Sequence, residues 1–218
     1  MSYQDLLADL LAHADTERAL AMSAYMKNIF SFMGIATPVR RAVSKPYLTG
    51  MLKIKEVDYA FVDECWDCEY RELQYVAVDY LLSAAKFLSA DDVPRIKEYI
   101  IRKSWWDSVD GLDKVVGGIA LKDASVKKTL LEWSIDDNIW LRRVAIDHQL
   151  SYKQETDTEL LAQIIINNFG SEEFFVNKAI GWSLREYSKI NPAWVSDFLE
   201  KYQDKMAKLS VREAGKHL

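Results

Sequence analysis

Residues that break regular structure are scarce in this chain: 8 glycines and 4 prolines among 218 residues. So few of either argue against folds built from many tight turns, such as sandwiches and barrels. Cysteine is nearly missing as well. Cys65 and Cys68 form a lone C-x-x-C, too little for a disulfide scaffold. A zinc site needs about four ligands, and the nearest histidines, His13 and His148, are distant in sequence. A redox pair would need the strand context of a thioredoxin-like motif, whereas this segment reads as helix, so reduced structural thiols are expected. No apolar run approaches the ~20 residues of a membrane span, and no signal peptide is visible. The expectation is a soluble, cytoplasmic protein. An excess of positive charge is also lacking: the net charge is −5, which excludes a uniformly basic nucleic-acid binder but leaves room for a local basic stripe.

What the chain has is apolar residues, half of the total, and with them the material for a globular core. They recur at helical spacing. Helices are expected over 3–14, 17–30, 39–48, 57–65, 70–87, 91–103, 105–121, 125–134, 138–152, 156–167, 172–190 and 193–206, and a short last one is capped by Ser210 with Glu213. Ser89 with Asp92 and Ser104 with Asp107 have capping-box spacing, and Thr37-Pro38 reads as a cap followed by proline at the first helical position. The four prolines fall near segment boundaries. No alternating strand pattern is found. The expected fold is all-α: a single HEAT-like helical-repeat domain over residues 1–218, a solenoid with a repeat of about 35–45 residues and a concave face. An irregular helical bundle is the rival.

Five segments could carry chemistry. In Lys103-Ser104-Trp105-Trp106-Asp107-Ser108-Val109-Asp110, Trp106 and Asp110 lie four apart, so an indole and a carboxylate share a helix face. Such a pair could hold a cation, or the tryptophans could be core and the acids helix-start charges. Tyr25 could offer its ring to a ligand or belong to a core stripe with Ile29 and Phe32. Thr37 at a helix start, with Arg40, Arg41 and Lys45, suits a phosphate or is solvated surface. Arg142 and Arg143 point about 100° apart, so one can face inward. Arg143 stands in the first turns of a helix, where acids are preferred; an ion pair to Asp136 or Asp137 would explain it simply. Finally Lys178, Trp182 and Arg185 share one face, as a DNA backbone would require or as packing with snorkelling cations would produce. Gly181 beside them costs about 0.8–1 kcal/mol against alanine, which points to close approach by another helix or a ligand.

The ordered runs Tyr25-Met26-Lys27-Asn28, Gly34-Ile35, Thr37-Pro38, Ser104 to Asp110, Asp137 to Leu141, Lys178 to Trp182 and Leu184 to Tyr187 resemble the bacterial AlkD-type alkylpurine DNA glycosylases, which are built of HEAT-like repeats. The resemblance implies hydrolysis of the N-glycosidic bond of cationic N3- or N7-alkylated purines in duplex DNA, in base excision repair. It implies Asp110 as the catalytic acid residue, Trp106 and Trp182 lining the cleft, and Tyr25, Thr37, Arg41, Arg143, Lys178 and Arg185 on the DNA. It also implies a monomer working without a base-recognition pocket and without metal or organic cofactor. Ser151 and Ala36 depart from the basic and polar residues of relatives. The alternative is a catalytically silent relative that binds DNA structure or protein.

Overall fold

The computed structural model describes residues 2–218, and it is helical throughout; no strand occurs among the described residues, only an isolated bridge between Ser31 and Tyr70. No described helix is long and apolar enough to cross a membrane. Two compact units form, Met1–Leu88 and Ser89–Leu218.

The first unit contains α1 (Tyr3–Leu11), α2 (Thr16–Tyr25), α3 (Thr37–Met51), α4 (Tyr59–Asp67) and α5 (Arg71–Ser83). α1 packs on α3 and α4, and α5 packs on α3 and α4. Its interior includes Leu6, Leu10, Val62, Trp66, Leu73 and Tyr80, none of them exposed; each such side chain contributes about 1.5–3 kcal/mol by burial. Glu72 is buried with them and accepts the backbone N–H groups of Met33, Gly34 and Ile35 at 3.0, 2.9 and 3.2 Å. It thereby satisfies three donors of the segment between α2 and α3 that have no place in a helix. Cys65 and Cys68 are not joined in a disulfide.

The second unit holds α6 (Val93–Ile101), α7 (Trp106–Ala120), α8 (Val126–Trp133), α9 (Ile139–Asp147), α10 (Thr158–Ile166), α11 (Phe174–Ser188), α12 (Pro192–Tyr202) and α13 (Lys208–Ala214). Every second helix packs on the next: α7 on α9, α9 on α11, α11 on α13. The helices between support this row, with α6 and α8 against both α7 and α9, α10 against α9, and α12 against α11. Glycine permits the close approaches. A Cβ on Gly117 would lie 2.2 Å from the His148 carbonyl oxygen, and one on Gly181 would lie 2.5 Å from the Glu213 Cβ. The expensive mid-helix Gly181 is therefore where α13 crosses α11.

Several local expectations are corrected. The Ser104–Asp107 capping box does not form: Ser104 donates to the Ile100 carbonyl at 2.6 Å, and Trp105 stands at the N-cap without a side-chain cap. Ala36, not Thr37, is the N-cap of α3, and Thr37 is its first residue. Pro46 lies inside α3 at an exposed position, where its ring removes one backbone hydrogen bond of the helix. Ser210 and Glu213 do not cap the last helix. Both are buried within it, because α13 turns that face toward α11, where Ser210 donates to the Asn177 carbonyl at 2.8 Å. The Ser89–Asp92 box does form. Seven of the twelve expected helices end two to five residues early, α5 and α12 giving way to the 3-10 turns Ala85–Phe87 and Gln203–Lys205, whereas α3 and α4 run three and two residues further than expected.

Gly181→Ala is expected to destabilise the protein by about 1–3 kcal/mol, the usual range for overpacking, since the crowding atoms are backbone and a Cβ. Urea unfolding monitored by circular dichroism would measure this, and a gain in stability would contradict the packing described.

Candidate functional site

Three aromatic residues bring the starts of three helices together. Trp105 precedes α7, Trp140 is the second residue of α9 and Phe175 the second of α11. Their ring centroids lie 5.7, 5.1 and 5.0 Å apart in the pairs Trp105–Trp140, Trp105–Phe175 and Trp140–Phe175, at tilted and edge-on angles that suit aromatic quadrupoles. The start of α9 is fixed further by Asn138, whose side chain accepts the Trp140 N–H at 2.9 Å.

This junction places Asp110, one turn beyond Trp106 on α7, opposite Arg143 on α9. Arg143 donates through Nε to Asp110 Oδ1 at 2.7 Å and through Nη2 to Oδ2 at 2.9 Å, and its Nη1 donates to the Phe175 carbonyl at 2.7 Å. The bidentate fork fixes both the position and the plane of the carboxylate. The Arg143 side chain is 1 % exposed, whereas that of Asp110 is 25 % exposed. The resemblance puts Arg143 on the DNA backbone; in this structure its guanidinium is buried and turned to Asp110. Nor does it pair with Asp136 or Asp137. Burial works against its charge, but Asp147 and Asp110 outweigh that and raise its pKa above the ordinary arginine value. Arg142 points elsewhere and donates to Ser171 at 2.7 Å.

Two further carboxyls, not singled out from the sequence, complete the cluster. Asp113 follows Asp110 by one turn, and Asp147 follows Arg143 by one turn, with Oδ2 at 3.7 Å from the Arg143 Nη2. Asp110, Asp113 and Asp147 each bring an oxygen within 4.8 Å of the others, a spacing that a metal ion could share; Arg143 supplies positive charge among them. The signal was present as one-turn spacing around residues already named, Asp110-x-x-Asp113 and Arg143-x-x-x-Asp147.

The Trp182 ring on α11 is half-buried and flanked by cations, with Arg143, Lys178 and Arg185 at 5.1, 5.6 and 5.9 Å from its centroid. Lys178 and Arg185 also converge on Glu213 of α13, at 3.2 and 2.9 Å, and Lys216 joins them at 2.8 Å. The Lys216 hydrogen bond, with Lys178 beside it, overcomes desolvation and holds the buried Glu213 carboxyl down to about 2. Asp110, Arg143, Lys178, Trp182 and Arg185 thus meet in one unit, and Trp106 lies on α7 one turn before Asp110.

The other expected contacts lie in the first unit. Tyr25 ends α2 and is 73 % exposed. Thr37 is exposed at the start of α3. Arg41 is exposed but donates to both Asp79 oxygens at 3.3 and 3.1 Å, while buried Arg40 donates to Oδ2 at 3.0 Å.

The family model described as "DNA alkylation repair enzyme" matches residues 6–218. The solved structure of a predicted DNA alkylation repair enzyme from Enterococcus faecalis is similar, with a TM-score of 0.87 and 37% sequence identity over 94% of this chain and 97% of that one. No curated protein matches.

Glu213 yields a prediction about acid stability. Its carboxyl stands at about 2 when folded, against an ordinary 4.5. Its contribution is therefore complete above pH 4.5 and is lost as the pH falls through 2. Glu213→Gln should be less stable than wild type at pH 7, and the gap should close on acidification through that window. Thermal unfolding at a series of pH values measures this; a gap independent of pH would contradict it.

Proposed function

The chain belongs to the DNA alkylation repair enzyme family, and on that premise we propose that it is a monofunctional DNA glycosylase releasing cationic N3- and N7-alkylated purines. The observation that carries this reading is a partly exposed carboxylate, Asp110, held in a fixed plane by a buried arginine at the edge of an indole-bearing face.

An alkylated purine already carries a positive charge, so it departs with the electron pair of the C1′–N bond as a neutral base without needing an acid to protonate it. The deoxyribose is left with oxocarbenium character at C1′. Asp110, fixed before the charge develops, stabilises that cation without reorganising. It then accepts a proton from the water that adds to C1′, and the products are the free base and an abasic sugar. Trp106 and Trp182, on α7 and α11, supply ring faces toward the sugar; a cation over an indole gains roughly 0.5–2 kcal/mol. In this scheme Arg143 is a positioning residue. Lys178 and Arg185, partly exposed, are our candidates for phosphate contacts, and Tyr25, Thr37 and Arg41 offer exposed groups of the same use in the first unit. No step in this scheme calls for a metal or an organic cofactor.

A second reading is favoured by one observation: Glu213 neutralises part of the positive charge of Lys178 and Arg185. A weakly cationic face suits a silent relative that recognises DNA structure or a protein without cleaving anything.

Release of 3-methyladenine and 7-methylguanine from methylated duplex DNA separates the two. The glycosylase reading expects wild type to release both, and Asp110→Asn to lose about 10²–10³-fold, the usual cost of removing one preorganised electrostatic contact. Background release by both proteins would leave only the binding reading. Lys178→Ala and Arg185→Ala should each weaken DNA binding and reduce the slope of affinity against salt by about one phosphate contact.

A further inference from the structure

Asp113 and Asp147 play no part in the scheme above, yet they are the two most unusual acids in the molecule. Asp113 is buried on the helix that carries Asp110, and the Asp147 side chain has no exposure at all. Asp113 Oδ1 and Asp147 Oδ2 are both buried with no hydrogen-bond partner. The three carboxyls each have an oxygen within 4.8 Å of the others. Were all three ionised, a single guanidinium would face three negative charges in an interior that penalises even one unpaired ion.

We propose that Asp113 is a neutral carboxylic acid that donates its proton to Asp147, and that this buried hydrogen bond is a positioning device for the Asp110 carboxylate. One proton gives both unpartnered oxygens a partner. It also reduces the cluster to one net negative charge, shared by Asp110 and Asp147 around the one guanidinium. The proton belongs on Asp113 because Asp147 has what favours an anion: Arg143 Nη2 at 3.7 Å and the Ser183 hydroxyl, whose proton is shared between the Ile146 carbonyl at 2.8 Å and the Asp147 Oδ1 at 3.2 Å. The acidities agree. Burial, reinforced by the charges of Asp147 and Asp110, drives Asp113 well above the ordinary carboxylate range, while burial lifts Asp147 only to about 7 against the pull of Arg143. An ionised Asp113 would compete with Asp110 for the guanidinium and loosen the bidentate pair.

The groups facing this pair are few. Asp110 and Lys114 come from α7, Arg143 from α9 and the Ser183 hydroxyl from α11. α6, α8 and α10 bury apolar side chains and the Tyr99 phenol. His148, at the C-cap of α9, is lowered to about 4 by burial and is neutral at pH 7.

The positioning role rests on Asp110 being the catalytic carboxylate; the buried proton itself does not. Infrared spectroscopy of the full protein without DNA tests the proton directly. Above pH 8, where Asp147 at about 7 is ionised, wild type and Asp110→Asn should show the C=O stretch of a protonated carboxyl, and Asp113→Asn should lack it. No such band in wild type, or its persistence in Asp113→Asn, would overturn the proposal. Methylpurine release tests the positioning. Asp113→Asn keeps a neutral donor and should change the rate at pH 7 by less than about tenfold, the equivalent of one neutral hydrogen bond. It should also retain activity at alkaline pH, where wild type declines. Asp113→Ala, with no donor, should lose more than Asp113→Asn. Equal losses in the two variants, with unchanged pH profiles, would reduce Asp113 to packing. A band that behaves as expected in a protein that releases no methylpurine would uphold the buried acid and remove the glycosylase reading.

Discussion

A guanidinium with 1 % of its surface exposed ties three helices of the second unit together: from its seat on α9, Arg143 donates to a carboxylate on α7 and to a backbone carbonyl on α11. Desolvating that charge is expensive, and removing one partner of such a pair would leave the other buried and uncompensated. The surrounding structure is arranged to meet that cost. The rings of Trp105, Trp140 and Phe175 align the helix starts, and Trp182 lays its face toward the guanidinium. The result is a carboxylate partly open to solvent and held at both oxygens.

Charge compensation repeats one helix further along the row. Glu213, barely exposed on α13, gathers Lys178 and Arg185 from α11 and Lys216 from its own helix. Gly181 allows that approach, since any side chain there would strike Glu213. The same contact that packs the last helix therefore sets the posture of two cations beside the Trp182 ring. Packing and site electrostatics are one arrangement here, which explains why an acidic chain can still present a basic, aromatic patch.

Much of this was legible in the sequence for identifiable reasons. All-helical structure followed from the shortage of glycine and proline and from apolar spacing. Four-residue spacing put Trp106 beside Asp110 and placed Lys178, Trp182 and Arg185 on one face, because helical geometry is local. A mid-helix glycine announced a close neighbour. Helix ends were less readable: Ser104 and Asp107 have the spacing of a cap but bond elsewhere, since tertiary contacts of Trp105 decide where α7 begins. Arg143 could be seen to oppose its local preference, but its partner lies 33 positions away, beyond any periodicity. Asp113 and Asp147 were not singled out, because nothing in their local spacing tells that another helix will bury them.

The sequence by itself determined the helices, most of the faces they present, and the residue types available to a site, because these depend on spacing within a few residues. Only the tertiary structure decided which charges meet: that Arg143 turns inward to Asp110, that Glu213 gathers the cations of α11, and that two acids from different helices share one buried volume. Those choices are made by desolvation, which acts on a side chain only once another helix has closed over it.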